Sequence, residues 1–140
     1  MKLSAVLDSN IVVSGIGWRG DSHVVLRLLA SRRFISLRTP YLTTEWSRSV
    51  AQASTLGNWR NPNWANWLEW LKRVSELIDD PPVRQTVRRD PKDDPILAAA
   101  LAGRAQYLVS YDNDLLDLEK PYGIECIRPQ AFIRALLVRP

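Results

Sequence analysis

Leu3-Ser4-Ala5-Val6-Leu7-Asp8 is a short, mostly apolar run that ends on an acid. It reads as a buried strand that delivers a carboxylate to its own C-terminal end. After a loop through Gly15, Gly17 and Gly20, Asp21 or Ser22 can cap a helix with Val24, Val25, Leu28 and Leu29 on one face, and Phe34 to Leu37 reads as a second strand. Pro40 interrupts that strand, and Thr43 or Thr44 can cap a helix whose first turn holds Glu45. From Pro62 another helix is expected, on which Trp64, Trp67, Leu68, Leu71, Val74 and Leu77 or Ile78 recur at helical spacing. Asp79 to Pro82 breaks it, and Val83 to Val87 reads as a short strand. Asp93 or Asp94 then caps the apolar helix Pro95 to Leu101, which closes at Gly103. Tyr107 to Val109 and Ile124 to Ile127 are further strands, and Pro129 starts a final helix that carries Phe132, Ile133, Leu136 and Leu137. This alternation predicts an α/β, three-layer fold with a mostly parallel central sheet flanked by helices, and ligands at the C-terminal edge of the strands.

The chain has 140 residues and 46% hydrophobic content, enough for one respectable core and too little for two ordinary domains, so residues 1–140 are read as a single domain. Its apolar stretches fall short of a membrane span and its start lacks a signal-peptide pattern, which predicts a cytoplasmic protein with no membrane partner. Cys126 is the only cysteine, so an internal disulfide and a thiolate cluster are excluded, and it reads as a small core residue. His23 is the only histidine, which excludes acid–base cleavage by a histidine pair, and it reads as a helix-surface residue. Lys and Arg number 19 against 15 Asp and Glu, a net charge of +4. If four acids gather in one site, 19 basic side chains face 11 acidic ones elsewhere, which suits a polyanionic substrate.

Asp8 and Asp112 each follow an expected strand, and Glu45 and Asp94 each sit where an expected helix begins, so all four can face one sheet edge. Carboxylates brought together repel unless protons are retained or a divalent cation neutralises them. An all-oxygen set suits Mg2+ or Mn2+ better than zinc, and such ions can activate water and stabilise charge on a transferring phosphoryl group. Glu45 and Asp94 also read as ordinary helix-start acids. Asp114 reads as a further ligand or a turn former, and Asp90 and Asp93 as loop or capping residues. The tryptophans at 59, 64, 67 and 70 invite a base-stacking reading, but a helical stripe of this kind is read as core or dimer surface.

Several of these segments resemble the PIN-domain family. Asp8-Ser9-Asn10-Ile11-Val12-Val13-Ser14 is similar to its start, and Thr44-Glu45 to its second acidic position. Arg89-Asp90-Pro91-Lys92-Asp93-Asp94-Pro95-Ile96-Leu97-Ala98-Ala99-Ala100 resembles its third motif, whose spacing selects Asp94 over Asp93. Ala105 to Leu116 resembles its fourth, with Ser110 where threonine is more frequent, followed by Asp112. Four motifs in order carry far more weight than any one alone. The pattern is most similar to VapC-type toxins, which implies a metal-dependent endoribonuclease with Asp8, Glu45, Asp94 and Asp112 as catalytic and metal-holding residues, an RNA substrate, a cognate antitoxin protein and a homodimer. Asn10, Ser110, Arg88, Arg89 and Lys92 are the candidates for contacting RNA.

A receiver-like module would need paired acids at the first strand, and a haloacid-dehalogenase-type phosphatase a second aspartate where Asn10 stands. The nearer rival is a PIN-fold module that binds RNA or protein without cutting. If the basic surface that includes Arg88, Arg89 and Lys92 guides RNA phosphates, affinity for RNA should fall steeply and log-linearly with salt. Titrating labelled RNA at several salt concentrations checks this, and a flat response would reject it.

Overall fold

The computed structural model describes residues 2–81 and 94–138. Its elements run β1 (Ser4–Leu7), α1 (Ser9–Gly17), α2 (Asp21–Ala30), β2 (Ile35–Arg38), α3 (Pro40–Ala53), α4 (Trp64–Val74), β3 (Glu76–Leu77), α5 (Pro95–Ala102), β4 (Tyr107–Val109), α6 (Asn113–Leu116), β5 (Glu125–Ile127) and α7 (Pro129–Val138). The fold is α/β, with helices flanking a five-stranded sheet in the order β3-β2-β1-β4-β5. Every pairing is parallel. Helix-covered parallel strands are apolar on both faces, and Ala5, Val6, Leu7, Leu108 and Val109 are fully buried.

The order matters for the site. Chain connections run outward from β1 to β2 and β3 on one side and then return to β4 and β5 on the other, so the direction reverses between β1 and β4. At such a reversal the connections leaving the two strand ends diverge and leave a crevice at the carboxyl edge. Leu7 pairs with Val109 at the end of the ladder, which brings Asp8 and Ser110 side by side just beyond it.

Several local expectations are corrected. The glycine loop is instead the end of α1, which begins directly after Asp8 and includes Gly15 and Gly17. These glycines are close-packing positions, since a Cβ on Gly15 would meet Leu26 and one on Gly17 would meet the Trp59 ring. On α2 the buried face is Ser22, Val25, Leu26 and Leu29, leaving Val24 exposed. His23 is half-buried, with Nδ1 at 3.0 Å from the Gly15 carbonyl and its ring against Trp67, so it ties α2 to its neighbours.

Helix α3 starts four residues earlier than expected. Pro40 occupies its first turn, where a missing N–H costs nothing, and Thr39 is the cap, its hydroxyl accepting from the Leu42 N–H at 3.1 Å. Thr43 and Thr44 lie inside the helix, and Glu45 falls in the second turn. Helix α4 ends at Val74, and Glu76–Leu77 forms the short edge strand β3, so the apolar stripe does not continue through Leu77, which is exposed. The strand expected over Val83 to Val87 lies outside the described residues.

Trp46 is the largest fully buried side chain, and its Nε1–H donates to the Leu7 carbonyl at 2.8 Å. Trp46→Phe keeps an aromatic ring but leaves that acceptor unpaired and a small void, which should cost about 2–4 kcal/mol. Urea unfolding should show a lower midpoint at unchanged slope, whereas an unchanged midpoint would show that the bond carries little.

Candidate functional site

Three aspartates owe their positions to one local rule. Asp8, Asp94 and Asp112 are each the N-cap residue of the helix that follows, in extended backbone conformation. The Asp8 carboxylate accepts from the Ser9 N–H at 2.8 Å, that of Asp94 from Ile96 at 3.0 Å and that of Asp112 from Asp114 at 2.9 Å. Capping engages one oxygen of each carboxylate, and at Asp8 the other oxygen accepts from side chains of the cleft. Short polar side chains are favoured at such positions because they satisfy N–H groups that the first helical turn leaves unpaired.

These caps bring distant parts of the sequence together. Asp8, Glu45, Asp94 and Asp112 line one cleft of about 220 Å3, together with Tyr41 and Leu115. The expected acids are therefore gathered at the sheet's carboxyl edge. Asp114 is exposed on the first turn of α6 and, apart from the N–H it gives to Asp112, takes no part in lining that cleft. Arg88, Arg89 and Lys92 lie outside the described residues, as do Asp90 and Asp93.

Ser110 and Asn10 organise the cleft. Ser110 is fully buried; its hydroxyl donates to Asp8 Oδ2 at 2.7 Å and accepts from the Asp112 N–H at 2.9 Å, latching one acid to the backbone of another. The Asn10 amide donates to Asp8 Oδ2 and to Ser110 Oγ, each at 3.4 Å, while its oxygen accepts from the Tyr111 N–H at 3.2 Å. The Tyr111 hydroxyl in turn meets Ser22 Oγ at 3.0 Å. Asn10 and Ser110 were expected to contact RNA, and the hydrogen-bonded places they hold are against Asp8.

Glu45 sits differently. Both its oxygens meet the Arg48 guanidinium, at 2.8 and 2.7 Å, in a pair one helical turn apart. Arg48 is exposed, and such a pair adds under about 1 kcal/mol to stability, so it is easily exchanged. Sequence reading did not single out Arg48, although its three-residue spacing from Glu45 was the available signal.

Burial pushes the Asp8 carboxyl above the ordinary aspartate value; hydrogen bonds from Ser110 and Ser9 oppose the rise, and the charges of Asp112 and Asp94 add to it. A desolvated carboxylate beside two others is an environment that a hard divalent cation would relieve, and every acidic donor in the cleft is a carboxylate oxygen. The donor chemistry is compatible with Mg2+ or Mn2+, and Asp8, Glu45, Asp94 and Asp112 are the residues that could hold such an ion. Among the described residues no three such side chains stand in a ready-made cage, and Glu45 is engaged by Arg48. Among those residues, too, no helix is long and apolar enough to cross a membrane.

Cys126 is buried, with burial pushing its thiol up to about 11, which makes it an inert core residue. Among known families, the PIN domain matches the chain over residues 4–114. Among curated proteins, none matches it.

The raised carboxyl of Asp8 has a measurable sign. Without metal, the native state holds that proton more tightly than the unfolded chain, so the group lowers stability as pH rises from the ordinary value of 3.8 through the raised one, and costs nothing below that window. Relative to Asp8→Asn, the parent protein should lose unfolding free energy over this rise in urea titrations. A difference independent of pH would contradict the assignment.

Proposed function

Because the chain belongs to the PIN-domain family, we propose that it is a metal-dependent endoribonuclease that hydrolyses RNA phosphodiester bonds at the cleft of Asp8, Glu45, Asp94 and Asp112. PIN domains are in general nucleases, and the family's nucleases in general use divalent metals. The observation that carries the reading is convergence: four acids from four separate segments of the chain line one cleft at the switch point of the sheet.

A bound Mg2+ or Mn2+ would supply activation of water and neutralisation of charge on the phosphoryl group. The protein's own residues prepare the place. Ser110 fixes Asp8 against the backbone of Asp112, and the Asn10 amide donates to the same Asp8 oxygen and to Ser110. The starts of α1 and α5 bear on the cleft at Asp8 and Asp94, and the positive ends of their dipoles favour both the carboxylates and an incoming phosphate. Arg48, displaced from Glu45 by a cation, would be free to meet a phosphate.

The likeness of the four motifs to VapC-type sequences supports a finer reading: a cytoplasmic, single-domain toxin over residues 1–140, restrained by a protein antitoxin and forming a homodimer. Its test is growth arrest on induction, relieved by a co-expressed partner. A non-catalytic PIN-fold module that binds RNA or protein is favoured by one observation, the pairing of Glu45 with Arg48 in place of an open ligand.

Cleavage separates the two readings. Labelled single-stranded and structured RNAs incubated with Mn2+, Mg2+ or EDTA should be cut only with metal, and Asp8→Asn and Asp94→Asn should cut about a hundredfold more slowly or worse. Asparagine caps helices as well as aspartate, so both variants should keep the parent's circular dichroism. Full activity in both would reject the site, and no cleavage by the folded parent across the RNAs would favour the binding module.

A further inference from the structure

The chain's aromatic side chains divide sharply by exposure. All six tryptophans are buried or half-buried, as are both phenylalanines and Tyr107. Exposed rings belong to tyrosines alone, and one of them, Tyr41, lines the acid cleft with 46% of its surface open. It occupies the first turn of α3, four residues before Glu45, so the two side chains share a helix face.

The backbone beneath the ring is held firmly. Tyr41 N–H donates to Asp80 Oδ1 at 3.1 Å, which ties the start of α3 to the segment after β3. The side chain itself makes no hydrogen bond and no ring contact among the described residues, in contrast to Tyr111, whose hydroxyl is occupied by Ser22. Burial, followed by the charges of Glu45 and Asp94, pushes the Tyr41 phenol up, so it remains neutral beside the acids. A flat, neutral ring, half open to solvent on a bonded backbone, thus stands in the lining of a cleft whose charged side chains are all acids.

We propose that Tyr41 is a substrate-binding residue of this cleft, its ring stacking on the nucleobase that neighbours the phosphate at the acids and thereby setting which phosphate enters. This rests on the nuclease reading above. A base stack supplies affinity through the ring face and is indifferent to the hydroxyl, which makes the role separable from hydrogen bonding. It also needs an unstacked base, and its contribution should vanish when that base is absent.

The test uses the full chain carrying Asp8→Asn, so that bound RNA is not consumed, with short labelled single-stranded RNAs and fluorescence anisotropy. Tyr41→Phe should bind within about twofold of its parent, and Tyr41→Ala about tenfold more weakly. In a set of oligonucleotides carrying one abasic nucleotide at successive positions, one position should weaken the parent while leaving the Tyr41→Ala variant unchanged. In the cleaving protein, Tyr41→Ala should raise KM more than it lowers kcat and should spread the cut positions. Equal affinity of Tyr41→Ala and parent, equal loss in Tyr41→Phe and Tyr41→Ala, or additive abasic effects would each overturn the stack. If the otherwise unaltered protein cuts RNA and any of those results is found, the stack fails and the nuclease stands; if it neither binds nor cuts RNA, the nuclease reading fails and takes the stack with it.

Discussion

A single indole holds the two halves of the acidic cleft's N-terminal side in register. Trp46 is fully buried, its Nε1–H reaches the carbonyl of Leu7, and each partner of that bond is the chain neighbour of a cleft acid, Glu45 on one side and Asp8 on the other. A buried donor with one good acceptor has little freedom, because any shift of α3 along the sheet leaves both groups unpaired in an apolar surrounding. The register of α3 against β1, and hence the separation of Glu45 from Asp8, is fixed from inside the core. Ser110 performs the same service across the seam to β4, where the paired ends Leu7 and Val109 bring it beside Asp8.

Capping and ligand-holding, which look like rival uses of an acid, are combined at this edge. Asp8, Asp94 and Asp112 each satisfy an N–H at the start of a helix with one oxygen, which orients the carboxylate without a dedicated scaffold. The opposing cost falls on Asp8, the acid whose burial is felt in its protonation. Its hydrogen bonds from Ser110 and Ser9 offset part of that cost, and a cation would offset more.

Much of this was legible in the chain. Tyr107 to Val109, the helix beginning at Pro95 and the final helix from Pro129 stand where their patterns put them, because apolar runs bounded by proline, glycine or a capping acid leave few alternatives. The positions of Asp8, Asp94 and Asp112 were legible for the same reason, being tied to strand ends and helix starts, whereas Glu45 lies in the second turn of α3. Helix α1 was hidden because Ile11, Val12 and Val13 are β-branched and Gly15 and Gly17 are poor helix formers; it is maintained by the Asp8 cap and by packing against α2 and α3, which local propensity does not report. The start of α3 was misread because Thr43 and Thr44 resemble caps, while Thr39-Pro40 supplies the true one. Strand β3 has two residues, both exposed, and no periodicity to detect. The contacts of Ser110 with Asp8 and with Asn10 are relations between side chains that only the folded chain brings together.

The strand order has a consequence for synthesis of the protein. Asp8 and Glu45 belong to the part of the chain that emerges first, whereas Asp94 and Asp112 follow β3, and Asp112 also follows β4, the strand that pairs with β1 from far along the sequence. A nascent chain still lacking β4 can build β1, β2 and α3 with Trp46 in place, yet it has neither Asp112 nor the Ser110 that latches Asp8. The pairing that closes the cleft becomes available only once β4 has emerged, with β5 alone still to add, so a growing polypeptide on its ribosome carries an unassembled centre until the seam between β1 and β4 forms.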